Sequence, residues 1–249
     1  MNGRTLITAL DLPPGTRVDQ RVPKKLLLEN GAPTSGDRRL INEGVEEMLW
    51  VAALKPTTVG IPAYRDAVRE YLEIAILRVT IRADAKAQRL VELVHRAVPY
   101  PALLVVDQTD RPRVSAAHKR RSQGEAGKMV LDGEVVSAEW AGVSICEPFP
   151  TALALGRQPQ TTLFALYQGW LDTLHALLAS KITGSFKPAT TPEDARAREE
   201  ALKECARLEA EVARVRAAAK KESQLARQVG LNLELKRLEA ARDQERRKL

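Results

Sequence analysis

Residues 72–106, LEIAILRVTIRADAKAQRLVELVHRAVPYPALLVV, decide the fold. The part that ends at Arg82 is rich in Ile, Leu and Val and predicts a strand. Residues 102–106 are wholly apolar, which is typical of a strand covered on both faces. Between the two, apolar residues recur at helical spacing from Leu90 to Val98. A strand, a helix and a second strand in succession predict a parallel pair joined by a crossover.

Two hairpins are predicted after this pair of strands. Residues 113–119 are expected to return antiparallel from the preceding strand, because turn-forming residues separate the two. Residues 128–131 and 134–139 predict a second hairpin around Asp132 and Gly133. The predicted fold class is therefore α/β, with a mixed sheet and covering helices.

The segment before the first of these strands predicts less regular structure. Residues 1–35 are interrupted by prolines and glycines. Residues 37–54 predict one helix, because Ile41, Val45 and Met48 fall on one helical face. The predicted organisation has four parts: 1–70, irregular and helical; 71–180, the α/β core with a closing helix; 181–192, a linker; and 193–249, a charged helical tail.

The tail predicts a long helix of coiled-coil type. Apolar residues from Ala201 to Ala219 step by 4, 3, 4, 3 and 4, which is heptad spacing. The seam weakens at Glu222 and then resumes in a shifted frame. A solitary solvated helix is the alternative, because the seam is thin in Leu and Ile. The residues predicted to serve assembly, including self-association, are Leu208, Val212, Val215, Leu231, Leu235 and Leu238.

The chain is basic, with 39 Lys and Arg against 32 Asp and Glu and a net charge of +7. This excess suits a polyanionic partner, and DNA is the partner expected, although many proteins this basic bind no nucleic acid. The densest basic run extends from His118 to Arg121. Its alternative interpretation is a solvated loop. The candidate phosphate contacts are Lys24, Lys25, Arg111, Arg113, Lys119, Arg120 and Arg121.

The motifs that might carry catalysis are incomplete. Residues 124–129 resemble part of a phosphate loop, but Met129 stands where a Ser or Thr would bind magnesium. The run Asp84-Ala85-Lys86 is the best match to the acid-x-Lys element of a metal-dependent nuclease. Its acid, however, is predicted to cap a helix rather than to end a strand.

Residues that hold metals or form disulfides are sparse. His95, His118 and His175 stand alone, without the spacing of a zinc site. Cys146 and Cys205 form no disulfide framework, which fits a reducing compartment. Residues 1–16 contain no apolar core of signal-peptide length, and no stretch approaches about 18 uninterrupted apolar residues, so no secretion by a standard signal is expected. We expect a cytoplasmic protein that does not span a membrane, with no catalytic residue, metal ion or cofactor.

A set of short motifs covers about residues 8–180. They are Leu12-Pro13 with Val18, Val22-Pro23-Lys24-Lys25, the segment from Val45-Glu46-Glu47-Met48-Leu49-Trp50 to Leu54-Lys55-Pro56, the strand before Ala83, and Val98-Pro99-Tyr100-Pro101-Ala102-Leu103-Leu104. Together they resemble the bacterial family called domain of unknown function 4391. The motifs are structural rather than catalytic. The resemblance implies an association with phage-defence loci that also encode helicases and DNA methyltransferases.

The function expected is that of a non-catalytic subunit of such a phage-defence complex. It would contact DNA or assemble with helicase or methyltransferase subunits. A diverged metal-dependent nuclease and a pure protein-interaction module are the alternatives. Metal-dependent cleavage of DNA would indicate the nuclease, and a steep salt dependence of DNA binding would separate DNA contact from protein interaction alone.

Overall fold

The computed structural model describes residues 2–109, 111–125, 127–142 and 147–249. The chain divides into two compact units, Met1–Leu174 and His175–Leu249, called here the sheet unit and the helical unit. The predicted boundaries after residues 70, 180 and 192 stay predictions.

The described residues of the sheet unit contain ten strands. They are β1 (Arg17–Arg21), β2 (Val45–Leu54), β3 (Tyr64–Arg65), β4 (Glu70–Tyr71), β5 (Ile74–Ile81), β6 (Ala102–Asp107), β7 (Arg113–Ala116), β8 (Lys119–Arg121), β9 (Met129–Leu131) and β10 (Val136–Glu139). Six of them form one sheet in the order β1-β2-β5-β6-β7-β10. Within that sheet β5 and β6 are parallel and the other neighbours are antiparallel. The predicted mixed sheet and its parallel pair are confirmed.

Nine α-helices accompany the strands in the described residues. They are α1 (Gly3–Ala9), α2 (Lys24–Asn30), α3 (Ser35–Gly44), α4 (Pro56–Val59), α5 (Ala87–Ala97), α6 (Phe149–Ala152), α7 (Leu163–Thr183), α8 (Pro192–Lys221) and α9 (Leu225–Arg246). The helix predicted to connect the parallel strands is α5.

The core lies on both faces of the sheet. On one face α2, α3 and α5 cover β2, β5 and β6, and Leu77 and Val79 of β5 pack with Leu90 and Val94 of α5. Successive side chains of a strand point to opposite faces. Asp107 at the end of β6 accordingly accepts a hydrogen bond from the backbone N–H of α1 on the other face. The sheet is therefore buried between two layers of helices.

The predicted helix over residues 37–54 is wrong after Gly44. Helix α3 ends there and β2 begins at once. Bulges in the pairing of β2 with β5 interrupt the alternation of the strand. As a result Val45, Met48 and Val51 are all buried. This spacing of three residues imitates a helical face, which explains the wrong prediction.

The second predicted hairpin is also wrong, although both of its strands exist. Strand β9 pairs with β8, and β10 pairs with β7. The basic run therefore forms a strand, with Lys119 opposite Leu131. The antiparallel return of β7 along β6 is confirmed.

The helical unit contains a helical hairpin where one long helix was predicted. Helices α8 and α9 pack against each other and are separated by residues 222–224, at the place where the seam was predicted to weaken. Ion pairs join Arg216 to Glu239 and Arg246 to Glu209, so the two helices run antiparallel. The coiled-coil spacing is thus satisfied within the chain.

Candidate nucleic-acid interface and apolar groove

The predicted phosphate contacts are divided among separate places. Lys24 and Lys25 begin α2, where Lys24 donates a hydrogen bond to the backbone oxygen of Asn42 and Lys25 lies 3.7 Å from Glu29. At the start of β7, Arg111 and Arg113 lie 3.8 and 3.6 Å from the carboxylate of Glu139. The structure brings this second pair together around one acid.

Arg120 and Arg121 of β8 also face carboxylates. Arg120 lies 3.9 Å from Asp132, and Arg121 lies 3.3 Å from Glu70. Each guanidinium is partly neutralised by its acid, so this stretch of β8 is not a surface of unopposed positive charge.

Lys119 is buried, so the prediction that it contacts phosphate is wrong. Its ammonium group donates hydrogen bonds to the backbone oxygens of His95 and Val98. These belong to the carbonyl groups left without partners at the C-terminal end of α5. A cation at this end of a helix is favoured by the helix dipole. Burial lowers the pKa of Lys119 to about 8.

His95 shares this buried region. Its Nε2 atom lies 3.0 Å from the hydroxyl of Ser115, and its Nδ1 atom has no hydrogen-bond partner among the described residues. Burial, together with the positive charge of Lys119, lowers the pKa of His95 to about 3. The imidazole is therefore neutral at pH 7. Because Ser115 and His95 are both closed to solvent, they form no accessible nucleophile.

Most of the net positive charge lies in the helical unit. That unit contains 17 Lys and Arg against 12 Asp and Glu, a net charge of +5, and the sheet unit carries the other +2. The candidate phosphate contacts all belong to the nearly neutral sheet unit. The overall excess of basic residues therefore gives little support to those positions.

His118 does not stand alone, as the sequence suggested. Its Nε2 atom lies 2.8 Å from Oε1 of Gln168, and its Nδ1 atom lies 2.5 Å from the hydroxyl of Tyr71. The amide nitrogen of Gln168 donates to Asp172, so Oε1 accepts and His118 carries its proton on Nε2. Phe164 stacks on the imidazole at 5.2 Å between ring centroids. Both nitrogens are thus used to hold β4 and the residue before β8 to α7.

Asp84 and Lys86 lie in the turn before α5. Asp84 does not cap the helix, because the N-cap position is Lys86 and no side chain caps this end. That part of the prediction is wrong. Among the described residues, no group of three or more His, Cys, Asp or Glu side chains is arranged to hold a metal ion. Cys146 falls outside the described residues.

An apolar groove of about 420 Å³ lies beside α2, on the face of the sheet that α2, α3 and α5 cover. Gly31 lets the end of α2 approach α5 closely, since a Cβ there would lie 2.5 Å from the backbone oxygen of Leu93. Leu26 and Tyr100 line the groove and remain 48% and 42% exposed. Its other lining residues are Gln20, Arg21, Val22, Pro23, Leu27, Asn30, Met48, Trp50, Ala75, Leu77, Ala97, Val98 and Pro99.

The family model for the domain of unknown function DUF4391 matches residues 10–241 of the chain. The chain belongs to the DUF4391 family. No curated protein and no solved structure matches the chain.

Three motifs that this DUF4391 chain was predicted to share with its family meet at the groove. They are the start of α2 around Pro23, the middle of β2 around Trp50, and the segment from Val98 to Tyr100 after α5. They lie far apart in the sequence and are brought together by the packing of α2 and α5 on the sheet. No local pattern in the chain indicates this convergence, because the groove depends on how α2 packs against α5.

The tail residues predicted to serve assembly face the partner helix within the DUF4391 chain. Leu208, Val212 and Val215 of α8 are buried. The three assembly residues of α9 are partly buried: Leu231, Leu235 and Leu238. In this arrangement the seam is occupied by the chain's own second helix. Self-association through these six residues would require the hairpin to open, which corrects the prediction that they meet another chain directly. None of the helices in the described ranges combines the length and apolar character needed to cross a membrane.

Proposed function

We propose that this protein is a non-catalytic assembly subunit that binds an apolar segment of a partner protein in the groove. The observation that carries the proposal is the groove itself, with its apolar lining and its half-exposed Leu26 and Tyr100. Removing apolar surface from water contributes about 25 cal/mol per Å². Covering these two side chains therefore favours an apolar occupant.

The charge at the groove narrows the choice of occupant. Among its lining residues, all of them in the described part of the chain, Arg21 is the one charged side chain. Its guanidinium is exposed and lies 3.8 Å from Glu47, a weak and solvated contact. An apolar partner segment that carries a carboxylate beside its apolar residues would pair with Arg21.

The partner class follows from the family resemblance. The resemblance implies an association with phage-defence loci that also encode helicases and DNA methyltransferases, so a helicase or methyltransferase subunit is the partner we propose. In such a complex this chain would position the enzyme without reacting itself.

Affinity purification of the full-length chain with a co-expressed helicase or methyltransferase subunit of a phage-defence locus tests this proposal. We expect co-purification with the wild type and loss of it with Leu26→Glu, which places a charge in the groove. Leu72→Glu is the matched control, because Leu72 is also 48% exposed and does not line the groove. Equal loss in both variants, or retention in both, would contradict binding in the groove.

DNA contact is a second proposal, supported by the exposed side chains of Lys25 and Arg111, whose acid partners lie 3.7 and 3.8 Å away. Each phosphate contact should contribute about −0.9 to the slope of log affinity against log salt. Fluorescence anisotropy with two unrelated duplexes should show a shallower slope in a variant with Lys24, Lys25, Arg111 and Arg113 replaced by Ala. An unchanged slope in the folded variant would remove these residues from any DNA contact.

A further inference from the structure

One wall of the apolar groove is formed by the chain between α5 and β6. Residues 98–102, called here the wall segment, run from the end of α5 into the first residue of β6, and the first three of them line the groove. Pro99 and Pro101 have no N–H group to donate. The segment is therefore held largely through its carbonyl oxygens. The backbone N–H of Ala75 in β5 donates to one of these oxygens, that of Pro101, at 2.9 Å.

Two buried side chains hold the oxygens at either end of the wall segment. The ammonium group of Lys119 donates to the oxygen of Val98 at 2.7 Å, where α5 ends. The hydroxyl of Tyr167 donates to the oxygen of Ala102 at 2.8 Å and accepts from the N–H of Ala117 at 2.9 Å. Lys119 and Tyr167 are fully buried, and neither lines the groove. The conformation of the wall segment thus depends on residues that a ligand in the groove does not touch.

We propose, on the basis of the proposed function of the groove, that Lys119 and Tyr167 are positioning residues that fix the wall segment in the form that an apolar ligand binds. The side chain of Tyr100 is 42% exposed, so its own packing does little to fix the wall. A wall that is already ordered loses less conformational freedom when a ligand enters, and the groove therefore binds that ligand more tightly. Loss of either anchor should weaken binding without a change in any residue that contacts the ligand.

The anchor at Val98 depends on the charge of Lys119. Charge-assisted hydrogen bonds are about twice as strong as neutral ones, so the anchor should weaken as the pH rises through about 8, the pKa to which burial lowers this ammonium group. His95 faces Lys119 from α5 and is neutral throughout this range. Burial raises the pKa of Tyr71 in β4 and of Tyr167 in α7, and β9, which pairs with β8, contains no titratable side chain. These neighbours therefore do not change charge together with Lys119.

Fluorescence titration of the full-length chain with anilinonaphthalene sulfonate, an apolar anion whose sulfonate pairs with Arg21, tests the positioning role at pH 7. The groove component is the binding that Leu26→Glu removes and Leu72→Glu keeps. Lys119→Met retains most of the side chain and removes the donor, whereas Tyr167→Phe removes only the hydroxyl. Each should weaken the groove component by about tenfold for every wall residue whose backbone must then be ordered on binding. Urea denaturation followed by tryptophan fluorescence identifies the variants that are folded.

The pH profile separates positioning from a general loss of stability. Between pH 7 and pH 9 the groove component should weaken in the wild type and in Tyr167→Phe, which both keep Lys119, and should stay constant in Lys119→Met. Binding of the dye by the wild type that Leu26→Glu does not reduce would contradict the proposed function of the groove and the positioning role together. A groove component that is present in the wild type and keeps its full affinity in folded Tyr167→Phe or folded Lys119→Met would overturn the positioning role alone. The same holds for a pH dependence that Lys119→Met shares with the wild type.

Discussion

The sheet unit and the helical hairpin differ in the side chains that they bury. In the sheet unit, large apolar residues fill both faces of a sheet, and even Lys119 is buried against backbone oxygens. In the hairpin, the buried seam of α8 consists of Ala, Cys, Val and one Leu, and the charged pairs lie outside it. Burial therefore dominates the stability of the first region, whereas the second depends on a thin seam. Substitutions of buried residues should consequently lower the free energy of unfolding by different amounts in the sheet unit and in the hairpin.

The chain permits the two regions to be followed separately. Its three tryptophans, Trp50, Trp140 and Trp170, all belong to the sheet unit. Tryptophan fluorescence therefore reports unfolding of the sheet unit. Circular dichroism at the helical band also reports the hairpin, which holds the two longest helices of the described residues.

The largest effect should come from Lys119. Replacement by Ala removes the donor for two carbonyl groups at the end of α5 and leaves a cavity, so we expect a loss of about 3–5 kcal/mol in the free energy of unfolding. Arg120→Ala removes a partly exposed pair held at 3.9 Å and should cost less than about 1 kcal/mol. Urea denaturation followed by tryptophan fluorescence measures both. Equal losses in the free energy of unfolding would show that the buried ammonium group of Lys119 stabilises the fold no more than the Arg120 pair does.

Leu208 tests the seam of the hairpin. Leu208→Ala should lower the stability of the helical unit by about 2 kcal/mol, the lower end for a buried Leu, because the narrow seam leaves a small cavity. The matched variant Leu233→Ala removes a side chain that is 55% exposed and should change stability by less than about 0.5 kcal/mol. The loss should be larger by circular dichroism than by fluorescence. The opposite order would place Leu208 in the core of the sheet unit.

His95 predicts an acid sensitivity confined to the sheet unit. Its pKa is about 3 in the folded protein and about 6.5 when unfolded, so the unfolded state binds more protons below pH 6.5. Stability from this residue is therefore present above pH 6.5 and is lost as the pH falls toward 3. Between pH 7 and pH 5 the loss should be about 2 kcal/mol. His95→Gln should unfold with a correspondingly smaller pH dependence, measured by fluorescence. An unchanged dependence would show that the pKa of His95 is the same in the folded and unfolded states.

The sequence was sufficient for the elements whose periodicity matches their structure. The strand ending at Ile81, helix α5 and β6 were predicted, because apolar residues recur at the spacing that each element requires. Strand β2 was predicted as a helix, since its bulges replace alternation by a spacing of three. In that case the pairing partner β5, and not local sequence, determined the pattern.

The candidate site was harder to predict, because it depends on contacts between distant residues. Nothing near Lys119 in the sequence indicates that its partners are the carbonyl groups of residues 95 and 98. Asp132 was expected to form a turn, but its carboxylate binds Arg69 of the loop before β4. The groove likewise requires α2, β2 and the end of α5 together. Local patterns identified the residues but not their neighbours.

The smallest effect should come from an ion pair of the hairpin. Arg216 and Glu239 lie 2.7 Å apart with side chains that are 52% and 33% exposed, so water and salt screen their attraction. We expect a double-mutant cycle with Ala to give a coupling free energy of about 0.2–1 kcal/mol. The cycle is needed because Ala favours helix by itself, which would conceal the loss of the pair in single variants.

The comparison pair in the sheet unit is Arg78 with Asp107, 2.6 Å apart and largely buried. The carboxylate of Asp107 also accepts a hydrogen bond from the backbone N–H of Gly3. Replacement of Arg78 therefore leaves the buried charge of Asp107 with fewer partners. Its coupling should exceed 1 kcal/mol and change little in about 1 M salt, whereas that of Arg216 with Glu239 should fall. Equal couplings with equal salt dependence would contradict the contrast between a region held by burial and a region held by a thin, solvated seam.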